Sequence, residues 1–255
     1  MVTGSTAGIG LAIAQELAAE GMRVLVNGRT RERVDAAIRT VRQKASSGVE
    51  VVGIEADLGT AEGAAAVIDA MPDADVLVNN VGIFEARAFP EIPDAAWARI
   101  LEVNVLSGVR LSRHHLPRML ARGWGRILFI SSESALQIPA EMIHYGVTKT
   151  AQLGLSRGLA ELTRGTQVTV NAILAGPTRS EGVGAFVESL ARQRGETAAE
   201  VERDFFRSAR PTSLLQRFET PEEIAALVAF VASERAAGVN GAALRVDGGV
   251  VRAIV

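Results

Sequence analysis

The chain has 255 residues, which suits one large α/β domain or two small ones. Hydrophobic residues make up 48% and charged residues 22%, while aromatics are only 4%, so a sizeable core must be built mainly from Ala, Val, Leu and Ile. Lys+Arg 27 against Asp+Glu 29 leave a net charge of −2, with no basic excess to draw nucleic acid or an anionic membrane, and the absence of Cys excludes disulfides, thiolate nucleophiles and Cys-bound metal.

At the N-terminus only Met1 and Val2 precede a Gly-rich turn, so the first strand is expected to be truncated. Ile9, Ile13 and Leu17 then recur at helical spacing and Gly21 stands where a C-cap belongs. Strand-like apolar runs follow at 22–27 (MRVLVN), 49–54 (VEVVGI), 75–79 (DVLVN), 126–131 (RILFIS), 168–173 (VTVNAI) and 242–247 (AALRVD). Such continuous runs suit strands buried on both faces. Between them lie helical periods: Val34, Ile38 and Val41; a longer stretch opened by Pro93 and Asp94 through Trp97, Leu101 and Val105; the segment 141–164; and a last helix from Pro221 with Glu222 and Glu223 in its first turn.

This alternation predicts a single α/β domain over 1–255, a Rossmann-like doubly wound parallel sheet of about seven strands with helices on both faces. One segment, 178–215, breaks the alternation. It carries a charged amphipathic stretch just past a strand end, and reads as a substrate loop or lid rather than a hairpin that only packs. No apolar run approaches the roughly 20 residues of a membrane span and no signal-peptide pattern opens the chain, so cytoplasmic residence is expected. His114, His115 and His144 do not make a metal-ligand cluster, so no metal is expected; all three read as structural, although His144 borders the candidate site.

The turn from Thr3 to Gly10 (TGSTAGIG) has the spacing of a phosphate-binding loop that opens a helix. Gly4 permits a tight turn, Gly8 a close backbone approach, and Gly10 close helix–strand packing, with Ser5, Thr6 and Ile9 in the same loop; the helix N-terminus offers uncompensated N–H groups to an anion. No Lys-Ser/Thr follows the last glycine, so it is not a P-loop. About 20 residues further on, a carboxylate would accept from the ribose 2′-OH of NAD. Here Gly28 and Arg29 stand instead, and an arginine pairs with a 2′-phosphate, which favours NADP and leaves NAD as the alternative. Asp57 and Leu58 follow a strand and are placed to reach an adenine ring.

The chain has a single tyrosine, Tyr145, and only two lysines, one of which, Lys149, lies four residues on. An i,i+4 pair shares a helix face, and a nearby ammonium lowers a phenol's pKa, which makes it a usable acid and base. Ser132 follows a strand, Asn104 lies mid-helix, and Asn79-Asn80-Val81-Gly82 follows another strand.

With TGSTAGIG, Asp57-Leu58, NNVG, Asn104, the Ser132/Tyr145/Lys149 set, Asn171 through Gly176-Pro177-Thr178 and Val246-Asp247-Gly248-Gly249 in order, nearly the whole chain resembles the classical short-chain dehydrogenase/reductase family. The resemblance implies hydride transfer between NADP(H) and a small ketone or secondary alcohol. It implies Tyr145 as general acid and base, Ser132 as donor to the carbonyl oxygen, and Lys149 as holder of the nicotinamide ribose that depresses the Tyr145 pKa. Asn104 would position a water that links Lys149 to solvent; Asn80, Gly82, Gly176 and Thr178 would line the cofactor. It further implies a homo-oligomer, a tetramer or dimer, packed through 97–120 and 141–164, and the apolar tail 250–255 suits a subunit contact. The sequence departs from the family's pattern at Val81, at Ala175, in the short first strand, and at Thr6, where NADP-preferring members often carry a basic residue. Two other readings are a catalytically inactive NADP-binding regulatory protein of the same fold, and an S-adenosylmethionine-binding transferase, which would favour an acid near Gly28.

Overall fold

The computed structural model describes residues 1–254. Six strands pair in parallel: β1 (Val24–Gly28), β2 (Val51–Glu55), β3 (Val76–Asn79), β4 (Trp124–Ser132), β5 (Gln167–Ala175) and β6 (Ala243–Val246). They form two runs, β1-β2 and β3-β4-β5-β6. Val2 bridges to Val26 on one side and Val78 on the other, which joins the runs in the order β2-β1-Val2-β3-β4-β5-β6. The start of the chain is thereby paired on both sides: Val2 N donates to Leu25 O at 3.1 Å, Thr3 N to Val78 O at 3.0 Å, and Val78 N to Met1 O at 2.9 Å.

Alternation along each strand divides the core between two faces. Val24, Val26, Val76, Val78, Leu128, Ile130 and Ile173 pack with α1 (Gly8–Ala19), α2 (Arg31–Lys44) and α9 (Pro221–Ala232). Leu25, Leu77, Ile127, Phe129, Ala172 and Leu174 pack on the other face with α3 (Ala61–Ala70), α5 (Ser107–Arg122) and α6 (Ile143–Glu161). Arg126 is the charged residue of β4: it is buried, its guanidinium lies 4.5 Å from the Trp124 ring, and it donates to the carbonyls of Gly125 and Gln167.

The long helix expected from Pro93 is interrupted. It runs as α4 (Asp94–Leu101), then a π-helical segment Glu102–Leu106, then α5. The segment 178–215 forms α7 (Glu181–Arg194) and α8 (Ala198–Ser208), which close on an apolar cluster of their own made by Val187, Ala191, Val201, Phe206 and Phe218. Its neck is closed where Thr178 bridges to Glu219. In the C-terminal tail Val250 is buried and Ile254 is 96% exposed; Val255 lies outside the described residues. Among the described residues no helix is long and apolar enough to cross a membrane.

Candidate active site

The strand order reverses at Val2, and open α/β sheets bind ligands in the crevice outside such a reversal. The Gly-rich turn leaves from this point and is fastened from below. Thr3 Oγ1 accepts from the N–H groups of Asn80 (2.8 Å) and Val81 (3.1 Å), and the Asn80 amide donates to the carbonyls of Thr3 (2.9 Å) and Gly4 (3.1 Å). Gly10 must be glycine, because a Cβ there would come within 2.4 Å of the Asn80 amide nitrogen and 2.5 Å of Gly4 O. Ser5 corrects an expectation. It is fully buried, its hydroxyl donates to Val2 O and accepts from Asn27 N, and its own N–H donates to Asn27 O. Its donors face the sheet, so it secures the turn rather than reaching a cofactor.

Thr or Ser side chains cap α2, α3, α7, α8 and α9, whereas α1 has neither a side-chain cap nor an acid in its first turn among the described residues. Its first N–H groups, left without intrahelical partners, open onto a cleft of about 940 Å3. The cleft brings together Gly4, Thr6, Gly8, Ile9, Gly10, Arg29, Asp57, Leu58, Asn80 and Gly82. Arg33, on the first turn of α2, joins Arg29 there and was not singled out from the sequence, where a charge in that place reads as a solvated helix face. At the end of β1 the Thr6 methyl fills the space a side chain on Gly28 would need, 2.3 Å from its Cβ position. Asp57 is held below its usual carboxylate range by the Gly59 N–H at 2.9 Å and by Arg99 at 3.3 Å. The start of α7 reaches over the rim, where Glu181 pairs with Arg33 at 3.3 Å.

Ser132 ends β4, while Tyr145 and Lys149 lie one turn apart on α6. The buried Lys149 ammonium donates to Ile130 O at 2.9 Å and to Gln152 Oε1 at 3.3 Å. It sits 5.5 Å from the Tyr145 ring centroid and 3.4 Å from where a Gly82 Cβ would stand, so it borders the inner end of the cleft. Burial pulls the Lys149 pKa down to about 8. Burial also pushes the Tyr145 phenol up to about 12, against the opposing hydrogen bond of Ser132 and the charge of Arg210. The expected depression of the phenol by Lys149 is therefore not realised in this structure: the ammonium lies over the ring, and loss of hydration dominates. Phe84, 65% exposed, meets the Tyr145 ring edge-on at 6.1 Å.

Asn104 sits in the π-helical segment, where its side chain is turned inward. Its amide accepts from Ile83 N at 2.8 Å and donates to Ile83 O and Thr148 Oγ1 at 2.9 and 3.0 Å. Its backbone carbonyl accepts from Gln152 Nε2 at 2.6 Å. Buried Gln152, not noticed in the sequence, thus links the Lys149 ammonium to the Asn104 backbone carbonyl. Gly176 and Thr178 stand at the neck of the α7–α8 excursion. The Gly176 N–H donates to Val246 O at 2.7 Å and Glu219 Oε2 at 3.1 Å, and Thr178 Oγ1 donates to Gly176 O, because the neck of the α7–α8 excursion needs these bonds.

Residues 1–191 match the short chain dehydrogenase family, and the chain belongs to it as one of its oxidoreductases. It is 47% identical over 254 residues to the uncharacterized oxidoreductase YvaG of Bacillus subtilis (strain 168), covering 100% of this chain and 96% of the relative. It is 36% identical to the D-beta-hydroxybutyrate dehydrogenase of Cupriavidus necator, over 98% of this chain and 96% of that one. The L-sorbose reductase of Gluconobacter frateurii, solved in complex with NADPH and L-sorbose, superposes with a TM-score of 0.93 at 33% identity, covering 99% of this chain and 96% of that one.

Proposed function

We propose that the protein transfers a hydride between NADP(H) and a small ketone or secondary alcohol. One observation carries this reading. The cleft that runs from the uncapped start of α1, past Arg29 and Arg33, ends at Gly82 beside Lys149, next to Tyr145 and Ser132. The groups present fit a dinucleotide phosphate: free N–H groups and a steric need for glycine at the turn, and two guanidinium groups at the rim. The G. frateurii relative, solved with NADPH and a ketose, supports the same cofactor and substrate class.

In this reading the backbone of Gly8, Ile9 and Gly10 holds the pyrophosphate and Arg29 with Arg33 holds the 2′-phosphate. Lys149 holds the nicotinamide ribose hydroxyls with its remaining N–H. When bound, the nicotinamide supplies or takes the hydride. Tyr145, a neutral phenol at neutral pH, gives its proton to the carbonyl oxygen in reduction, and Ser132 donates to the same oxygen as negative charge gathers there. The α7–α8 excursion, 178–215, serves as the substrate loop of a single domain. The protein acts in the cytoplasm as a homo-oligomer; exposed Leu101, Leu106 and Val147 on α4, the π segment and α6 give that assembly an apolar face.

The test is a panel of ketones and alcohols followed by NADPH absorbance. Tyr145→Phe is expected to lower kcat at least ~100-fold with NADPH affinity, read by fluorescence, nearly unchanged. A fully active Tyr145→Phe enzyme overturns the acid–base role.

A further inference from the structure

Glu133 follows Ser132 directly and is buried, with both carboxylate oxygens in use. Oε2 accepts from the Ser132 hydroxyl at 2.5 Å, from the Ser134 hydroxyl at 2.7 Å and from the Ser134 N–H. Oε1 accepts from Nε of Arg210 at 2.7 Å. Arg210 lies 77 residues further along the chain, two residues past α8, at the far end of the excursion. The two side chains are 9% and 4% exposed.

Taking a carboxylate and a guanidinium out of water is costly, and replacing such a pair with apolar groups is often neutral or stabilising. Attachment of the excursion does not need it. The excursion has its own apolar cluster, its neck is closed by the Thr178–Glu219 bridge, and solvent-exposed pairs such as Arg179–Glu202 already tie its parts together. What the buried pair reaches that these do not is the hydroxyl at the end of β4. Ser132 Oγ donates to Glu133 Oε2, so the carboxylate fixes the rotamer of the serine that stands beside Tyr145.

We propose that Glu133 is a positioning residue that fixes Ser132, and that Arg210 makes this fixing depend on the seating of the α7–α8 excursion. With Arg210 in place, Oε1 is occupied and Oε2 stays turned to Ser132. When the excursion lifts, Glu133 loses its partner and Ser132 its fixed rotamer. The substrate oxygen takes over the Ser132 proton on arrival, with Oγ already in place. Loop closure over a substrate and readiness of the serine are thereby one event. This inference rests on the proposed role of Ser132 in hydride transfer.

The experiment uses the full chain, NADPH and the ketone that the wild-type enzyme reduces fastest. Arg210→Met and Glu133→Gln are each expected to lower kcat about tenfold or more with KM for NADPH within about twofold. The double variant should lose no more than the worse single one, because the two residues act as a unit. Arg210→Lys, which keeps a cation, should recover most of the rate and remains informative if Arg210→Met does not fold. Hydrogen exchange should quicken in α8 of Arg210→Met and stay unchanged in β4. Unchanged or raised kcat in both single variants, beside an inactive Ser132→Ala, overturns the coupling and leaves the catalytic serine standing; so do losses that multiply in the double variant. A fully active Ser132→Ala, or a wild type that reduces no carbonyl, overturns the reading beneath it and the coupling together.

Discussion

Arg29 and Arg33 stand at one corner of the cleft, beyond the end of β1, where Gly28 presents no side chain. A doubly charged 2′-phosphate there meets two guanidinium groups and no carboxylate on that strand end. A hydrogen bond to a charged group is worth about 1.5–3 kcal/mol, and each 1.4 kcal/mol is about tenfold in affinity. Arg29→Asp should therefore shift the NADPH/NADH ratio of kcat/KM toward NADH by roughly 10- to 100-fold. Arg33→Ala should cost NADPH about tenfold and leave NADH nearly unaffected. Steady-state kinetics with both cofactors decides; an unchanged ratio in both variants discards the 2′-phosphate contact. The two arginines also show how far single residues can be read. Arg29 was legible because it follows a strand end at a fixed distance from a Gly-rich turn. Arg33 was not, because a helix-surface charge gives no sign of which way its stem folds. Gln152 and Glu133 stayed hidden for a related reason: each is an ordinary polar residue until the packing of α6 and β4 buries it beside Lys149 or Ser132.

At the scale of elements, α1 has an uncapped end that opens onto the cleft, and the turn before it tolerates little change. A methyl on Gly10 would press on the Asn80 amide and on Gly4 O at once. Gly4 is backbone and the amide is itself pinned to Thr3 and Gly4, so neither yields easily. Gly10→Ala should lower the melting temperature by roughly 5 °C, as overpacking of 1–3 kcal/mol does in a chain of this size, and should weaken NADPH binding; scanning calorimetry and a fluorescence titration measure the two. An Ala variant that melts and binds like the wild type would show that the turn has slack. Strands and helices of this kind were legible because burial on both faces writes continuous apolar runs and helix faces write a 3.6 period. The π-helical segment at 102–106 was not, since one extra residue in a helix changes no composition; only the inward turn of Asn104 reveals it. The central place of Val2 in the sheet was not legible, because it depends on hydrogen bonds with Leu25 on one side and Val78 on the other.

For the molecule as a whole, two buried groups set opposing responses to acid. His115 on α5 is fully buried, both ring nitrogens lack partners among the described residues, and burial, with the nearby charge of His114, lowers its pKa from 6.5 to about 4. The folded state thus binds fewer protons than the unfolded state between pH 4 and 6.5, and stability rises with pH across that window. Glu219, at the neck of the excursion, has its pKa raised from 4.5 to about 7 by burial first, with Asp247 and Glu223 adding to it against the Gly176 N–H and Arg217. Here the folded state binds more protons between pH 4.5 and 7, so this contribution falls as pH rises through the window and is gone above it. The two slopes largely mask each other in the wild type, and single substitutions separate them. The melting temperature of His115→Leu, relative to wild type, should climb as pH drops from 6.5 to 4. That of Glu219→Gln, which keeps an acceptor for Gly176 N–H, should climb as pH rises from 4.5 to 7. Melting curves of the three proteins at matched pH values test both signs, and a difference that stays flat with pH in either variant would mean that the group titrates alike in the folded and unfolded chain.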